Sequence, residues 1–472
     1  MGSLSGLFDM SRGALMADQA ALNATANNVA NQNTAGYTRE VVSFSAGDVV
    51  TLNGGASAAA TQSSSGPQAT TASVRDRVLE QRVQQQMQAQ SSSSAESDVL
   101  TQIQNVFSVS GDTASAGSTQ IGTALNTFFS SLTALAGNPA DAATQQGVLS
   151  AASVLASTLN SAATQLQAVG STINSGISSS VTAVNALTRT IAGLNQQISE
   201  VSPHGDAGAL EDQRQLTIEQ LSQYVGLDQI TTENNGVTLT TQGGAVLVQG
   251  ETASALTATT TNGASVIQDS SGNNITAGIQ GGSIGGQLSG QAVDLPAASS
   301  ALDAIAYQLA TAVNTQNQAG LTTSGAAGGA IFTVPSSANG AAAAISVIPT
   351  NPSAIATASA GQGESGNGNA TALAALANTV NSSGQTVNGQ LSVMLAQIGS
   401  SASSLAEQTT TQQAALTQLT TQRDTLSAVS LDTEAANLSQ YQKSYQAAAQ
   451  LLTVLDQLMA TAINLGTQTT VT

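Results

Sequence analysis

The chain has 472 residues, with only 9 Lys or Arg against 27 Asp or Glu, a formal net charge of −18. Charged residues make up 8% of it, where a soluble globular protein carries roughly 25%, and there is neither Cys nor Trp. Zero Cys excludes disulfides and thiolate chemistry; a lone His204 excludes HExxH zinc sites; a lone Lys443 outside any glycine-rich loop excludes a Walker-type phosphate site; the acidic balance argues against nucleic acid.

The start, Met1 to Met10, shows no cationic region or apolar run of a secretory signal, and no stretch approaches the roughly 20 apolar residues of a membrane span. Residues 1–34 read as a helix, with Phe8, Leu15, Leu22 and Val29 at spacing seven among alanines. It ends at the turn-type cluster around Asn33 to Tyr37, with Asn27, Asn28 and Asn31 supplying caps and turn bonds. The stretch to about Pro67 is Gly/Ser/Ala/Thr-rich and reads as extended or weakly ordered. A second helical region spans Ser73 to Phe107, its Arg75, Arg77 and Arg82 reading as a solvated face, and a third covers Ile121 to Leu135. After Asn138-Pro139, read as N-cap and first helical position, apolar residues keep 3–4 spacing from Leu155 to Ile198. That is a rod of about 90 Å, which Gly170, Gly176 and Gly193 weaken. His204 beside Pro203 falls in the loop beyond it.

Leu210 to Tyr224 is helical, and Glu211 with Arg214 forms an i, i+3 pair on it. The pattern then switches to strands: two around Asn235-Gly236, a third at Ala245 to Gln249, within a β-rich module from about 226 to 290, with another strand at Ile345 to Ile348. Helix returns at Ala301 to Asn317 and Ala372 to Val380, and from about Leu391 onward. The cleanest heptad is Leu438, Tyr441, Tyr445, Ala448, Leu452, Leu455, Met459, Ala462.

Both ends are helical and nearly free of charge: residues 1–38 hold only Asp9, Arg12 and Asp18, and residues 435–472 only Lys443 and Asp456. A surface helix of a monomer carries a charged outer face, and these do not. They fit two arrangements, an intramolecular coiled coil or helices packed on each other and on further subunits. Tyr441 and Tyr445 belong to the core of the first or to contacts of the second.

The stretch Ala20 to Arg39, containing Asn27-Asn28, Asn31 and Gly36-Tyr37, resembles the N-terminal signature of bacterial flagellar rod, hook and hook-associated proteins, and Val429 to Gln450 resembles the matching C-terminal end. Leu210-Glu211-Asp212-Gln213-Arg214, Gly243 to Gly250, Gly281 to Gly286 and Leu302-Asp303 through Phe332 resemble the FlgK family. Departures are Gln145-Gln146 and Gln291, where that family tends to be basic. The resemblance implies a mainly α, multi-domain flagellar axial protein with a β-rich central module and a coiled coil formed by both termini. Its expected parts are 1–70 with 425–472 as the inner layer, 71–225 completed by about 385–424 as the helical bundle, and 226–384 as an outer module with a helix near 301–317.

It also implies a structural, non-enzymatic subunit of the extracellular hook–filament junction, without cofactor or metal. The implied partners are further copies of itself, hook protein, a second hook-associated protein of the FlgL type, a FlgN-type chaperone on the C-terminal helix, and the type III export apparatus. A hook or rod protein, an enzyme on an axial scaffold and a secreted adhesin are the competing readings. Against the enzyme, no carboxylate pair is placed to face a substrate.

Overall fold

The computed structural model describes residues 2–34, 36–46, 49–51, 62–64, 67–107, 119–201, 207–231, 236–363, 365–381 and 383–468. Pro203, His204 and Asn235 lie outside them. In chain order the first elements are α1 (Gly2–Asn31), β1 (Glu40–Ser45), β2 (Val49–Thr51), β3 (Gln62–Ser64) and β4 (Gln68–Ser73). The helices α2 (Arg77–Val106), α3 (Gln120–Gly137), α4 (Ala142–Val201) and α5 (Gly208–Ser222) follow. Then come β5 (Leu227–Thr231), β6 (Val237–Thr241), β7 (Val246–Gln249), β8 (Thr252–Ala253), β9 (Thr257–Thr261) and β10 (Ala264–Gln268). The chain closes with α6 (Gly282–Ser289), α7 (Leu295–Gln318), α8 (Ala341–Ala344), α9 (Gly368–Ala375), α10 (Val387–Ser427) and α11 (Leu431–Gln468).

Helix starts follow local chemistry. Asp76 caps α2 by accepting from the amides of Val78 and Leu79, and Thr119 caps α3 through Gly122. The cap of α4 is Asp141, whose carboxylate accepts from Ala143 N at 3.2 Å and Thr144 N at 3.3 Å. Asn138 instead closes α3, its amide bonding to Ala134 O, so the expected Asn138 cap is corrected by three residues. The α4 rod runs 60 residues without a break. Its interior glycines do not interrupt it; a Cβ on Gly176 would lie 2.9 Å from Gln287 Nε2, so this glycine makes room for α6.

The linker after α1 is ordered where it is described: β1 pairs antiparallel with β4, Glu40 opposite Ser73 through Ser45 opposite Gln68. Strands β5 to β8 form an antiparallel meander, and β9 with β10 a hairpin turned at Asn262-Gly263, both at positive φ. Four asparagines on α4 tie loops to this rod. Asn160 donates to Ala342 O and Ile345 O, Asn174 to Gly263 O, Asn185 to Leu256 O, and Asn195 to Val237 O and Gly250 O. Their spacings of 14, 11 and 10 residues, about 3.9, 3.1 and 2.8 turns, keep them within roughly a third of the helix circumference.

The β-rich module is smaller than the sequence suggests. Among the described residues its strands end at Gln268, and 345–348 contributes only a bridge between Phe332 and Val347. The helix expected at 301–317 is the end of a longer run, α6, a π-helical segment Gly290–Asp294 and α7, which packs against α2, α4 and α10. Residues 282–318 therefore belong with the bundle rather than with an outer module. Gln291, at a position expected to be basic, links this run to the hairpin: its Oε1 accepts from Ser265 N and its Nε2 donates to Asn174.

The core runs along the bundle, and Phe128, Phe332, Leu132, Leu155, Leu159, Ile177 and Ile198 are among its fully buried side chains. The ring of Phe128 lies 5.6 Å from Phe129 and 5.8 Å, edge-on, from Phe332. Close packing also depends on Gly286, where a Cβ would sit 2.0 Å from the Ser92 carbonyl of α2. Gly286→Ala is expected to force α6 off α2, costing about 1–3 kcal/mol, and to lower the midpoint of denaturant unfolding. An unchanged midpoint would contradict this approach.

Candidate assembly site

The two terminal helices meet. Ser444 Oγ donates to Asp18 Oδ2 at 2.8 Å across a sequence separation of 426, and Arg39, next to the Glu40 that Asn28 binds at the end of α1, meets Glu434 at the start of α11, so the two helices run antiparallel. On α1 the buried line is Ser11, Ala17, Asp18, Ala21, Ala24, Thr25 and Asn28. Phe8, Leu15 and Leu22 flank it half-buried, and Val29 is 40% exposed. The expected apolar stripe is thus beside the seam instead of filling it, because small side chains let the backbones come close and exclude larger ones from the midline. On α11, Leu455 is buried, Leu438, Tyr441 and Leu452 are half-buried, and Tyr445 and Met459 are exposed. The ring of Tyr441 packs tilted against Phe44 of β1, centroids 6.0 Å apart.

One partner helix covers one strip only. Leu7 and Met10 of α1 and Leu451, Val454, Leu458 and Ile463 of α11 remain exposed. The antiparallel register brings both sets to the same free end of the pair. Asp9, Arg12 and Asp456 are exposed among them and are the only charged side chains on this end of the pair.

At the other end the pair is fastened to the bundle. Asn28 acts as a strand mimic: its Nδ2 donates to Glu40 O, and its Oδ1 accepts from Glu40 N and from Tyr37 Oη, each at 2.8–2.9 Å. Asn31 Nδ2 donates to Asn27 O and its Oδ1 accepts from Thr34 Oγ1, which closes α1. Gly36, at φ +78, lies over Leu216 of α5. Thr38 then donates twice to Asp212, from its amide at 2.9 Å and its hydroxyl at 2.7 Å. Arg75 pairs with the same carboxylate and lies 3.5 Å from Glu80. Arg39 Nε donates to Glu434 at 2.8 Å, and its amide to Ser427 O at 3.2 Å. Arg423 Nη1 meets Glu219 at 2.6 Å. A cavity of about 70 Å³ sits among these groups.

Burial drives the electrostatics here. It lifts Asp212 above the usual carboxylate range, opposed by the two Thr38 bonds and by Arg75. It lifts Glu80 to about 7. Arg214, also buried, is pulled down to about 10 against the opposing charge of Glu211.

The Asp212-Gln213-Arg214 motif therefore separates into three roles. Asp212 faces the terminal body; Gln213 is exposed; Arg214 Nη1 donates to Asn195 Oδ1 at 2.9 Å, fixing α5 to α4 beside the sheet. The sequence reading missed Thr38, Glu80, Asn195 and Glu434, and it took Arg75 for a solvated residue although its side chain is 11% exposed. Arg77 and Arg82 are exposed as expected. The available signal was placement: Thr38-Arg39 and Glu434 lie inside the two terminal signatures. Asp212→Ala removes the acceptor of Thr38 and one partner of a buried guanidinium, an expected loss on the order of 3 kcal/mol in the unfolding free energy of the full chain. A Ser in place of Thr38, which keeps both donors, is expected to lose well under half of that.

Among the described residues, no group of three or more His, Asp or Glu gathers to hold a metal, and no helix is long and apolar enough to cross a membrane. Residues 100–332 match the flagellar hook-associated protein FlgK helical domain. Residues 8–38 match the flagella basal body rod protein family, and 423–465 the C-terminal family of the rod proteins FlgEFG. Flagellar hook-associated protein 1 of Bacillus subtilis is 29% identical, with 97% of both chains covered. The same-named protein of Escherichia coli is 29% identical over 70% of this chain and 60% of its own length. A solved structure of the flagellar hook junction protein FlgK from Burkholderia pseudomallei superposes with a TM-score of 0.65 at 20% identity, covering 73% of this chain and 99% of that one, and so shares the fold. With its axial-type termini flanking a FlgK helical domain, the chain belongs to the FlgK family of hook-associated proteins, structural components of the flagellar hook–filament junction.

Proposed function

We propose that this chain joins hook to filament by stacking its terminal helix pair against the pairs of neighbouring copies. The observation that carries the reading is the antiparallel α1/α11 pair with Leu7, Met10, Leu451, Val454, Leu458 and Ile463 left uncovered at its free end. Apolar surface of that kind on a nearly charge-free rod is stable only when other chains cover it. Hook protein on one side and a second hook-associated protein on the other are the neighbours in this reading. Heterologous contacts that repeat from copy to copy give rings or helical tubes.

The same surface accounts for delivery. A helix with a weak apolar face is marginal in water on its own, so α1 and α11 can stay unfolded during export and fold once they pair with each other and with neighbouring copies. This suits passage through a type III export apparatus to the outside of the cell, with a chaperone shielding the C-terminal helix. Phe8, Leu15, Leu22 and Val29 on α1, with Leu438, Tyr441, Tyr445, Leu452, Leu455 and Met459 on α11, are the residues this reading assigns to the inner layer. Some seal the intramolecular seam and the rest meet adjoining copies. The family's structural role favours no catalytic activity.

Deleting the gene in the bacterium that carries it is expected to leave hooks without filaments, with flagellin lost to the medium, as seen by electron microscopy and an assay of the supernatant. Missing hooks would point to a rod or hook component instead, and intact motile filaments would overturn the assembly reading. Leu452→Asp sets a charge in the half-buried seam, costing several kcal/mol where assembly buries it fully. Export is expected to persist and filaments to fail; normal filaments would remove Leu452 from the seam.

A further inference from the structure

Two bodies meet at the charged cluster around Asp212. The inner body is α1, the β1/β4 ribbon and α11; the outer body is everything from α2 to α10. The chain crosses between them at Val74–Asp76 and again at Ala428–Ser430, where Ala428 is extended. Besides these crossings, polar links between the bodies include the two bonds from Thr38 to Asp212, the Arg39 amide to Ser427 O, and Arg75 reaching Asp212 and Glu80 from the crossing segment.

The charge count at this joint is uneven. Three carboxyl groups, Glu80 of α2 with Asp212 and Glu219 of α5, are 10–13% exposed, and they share two guanidiniums, Arg75 and Arg423. We propose that the joint is a proton-operated latch, in which a carboxyl of this trio is protonated while the inner and outer bodies are docked, and loss of that proton lets them swing apart. The inference goes beyond the junction role and does not rest on it.

Glu80 is the group placed to carry the proton. It lines the cavity that separates the bodies, opposite Tyr37 and Thr38, which bring no charge to it. From its own segment it faces Arg75 and Arg77, while Asp76 is occupied capping α2. From α5 it faces Glu211, Asp212, Arg214 and Glu219, and from α10 Arg423 and Asp424. Burial pushes it up to about 7, with Arg75 opposing and Glu219 adding to the rise, and Asp212 is shifted the same way. Undocking opens the cavity to water and returns Glu80 toward its ordinary value of 4.5. The docked form then binds more protons than the undocked form between those two values. Docking is therefore strongest at the acid end, weakens as pH rises from about 5 to about 7, and is flat above that.

The absence of Cys makes the test direct. Gln446→Cys on α11 and Gln418→Cys on α10, both exposed in the native chain, take a donor and an acceptor dye, and energy transfer in the full-length protein reports docking. The docked-to-undocked ratio is expected to fall with pH between 5 and 7, by up to tenfold per unit for a single linked proton. Glu80→Gln, which mimics the protonated acid, is expected to stay docked with a flat profile. Asp98→Asn, exposed further along α2 and outside the cluster, is expected to keep the wild-type slope. A wild-type ratio that is flat or rises with pH, or a Glu80→Gln profile parallel to wild type, overturns the latch. If Glu80→Gln unfolds, as far-ultraviolet circular dichroism would reveal, the wild-type and Asp98→Asn slopes alone decide it.

Discussion

The constraint on which the rest depends is that the chain's first and last helices can bury only a narrow strip on each other. On α1 the buried strip is Ser11, Ala17, Asp18, Ala21, Ala24, Thr25 and Asn28, with Leu455 buried on α11, and the larger apolar groups of α1 lie at the flanks. Little area is removed from water, and at about 25 cal/mol per Å² the pair gains modest stability by itself. What remains outside the seam includes exposed Leu, Met, Val and Ile with few charges among them. A monomer has nothing to cover it; an assembly does. The scarcity of charge on these helices avoids placing unpaired ions inside a wall of packed copies.

The outer body solves a different problem. With few aromatics, it builds its core on the α4 rod, where Leu, Ile and Val line one side while α3, α5, α6 and α7 lie against it. The asparagines along the same rod bond to loop carbonyls and amides, so irregular backbone between 237 and 345 is satisfied by a rigid element. This is how a chain rich in Gly, Ser and Thr gains a defined surface without a large core for each segment. The sheet and hairpin are carried on the rod's second half, and Arg214 couples it to α5, where the terminal body is attached.

Attachment rests on bonds between residues far apart in the chain. Thr38 and Asp212, which join the terminal body to the bundle, are separated by 174 positions, and Arg39 and Glu434, which join the two terminal segments, by 395. Such links hold orientation through few contacts, and a cluster with more carboxyls than guanidiniums is sensitive to its proton content.

The sequence by itself determined the helices and their order, since periodicity, capping acids and glycine-rich breaks are local. It also determined the charge-poor ends, and the family, whose signatures lie in short continuous stretches such as Asn27 to Tyr37. The tertiary structure alone decided which side of each helix is covered, because a heptad gives a face and not a partner. It decided that Asp141 rather than Asn138 caps α4, since the two-residue turn between them depends on how α3 packs back. It decided that 282–318 joins the bundle, and that Arg75 is buried while Arg77 and Arg82 are not. A guanidinium two residues from another looks the same in sequence; only the carboxylate that folding brings from 137 positions away distinguishes it.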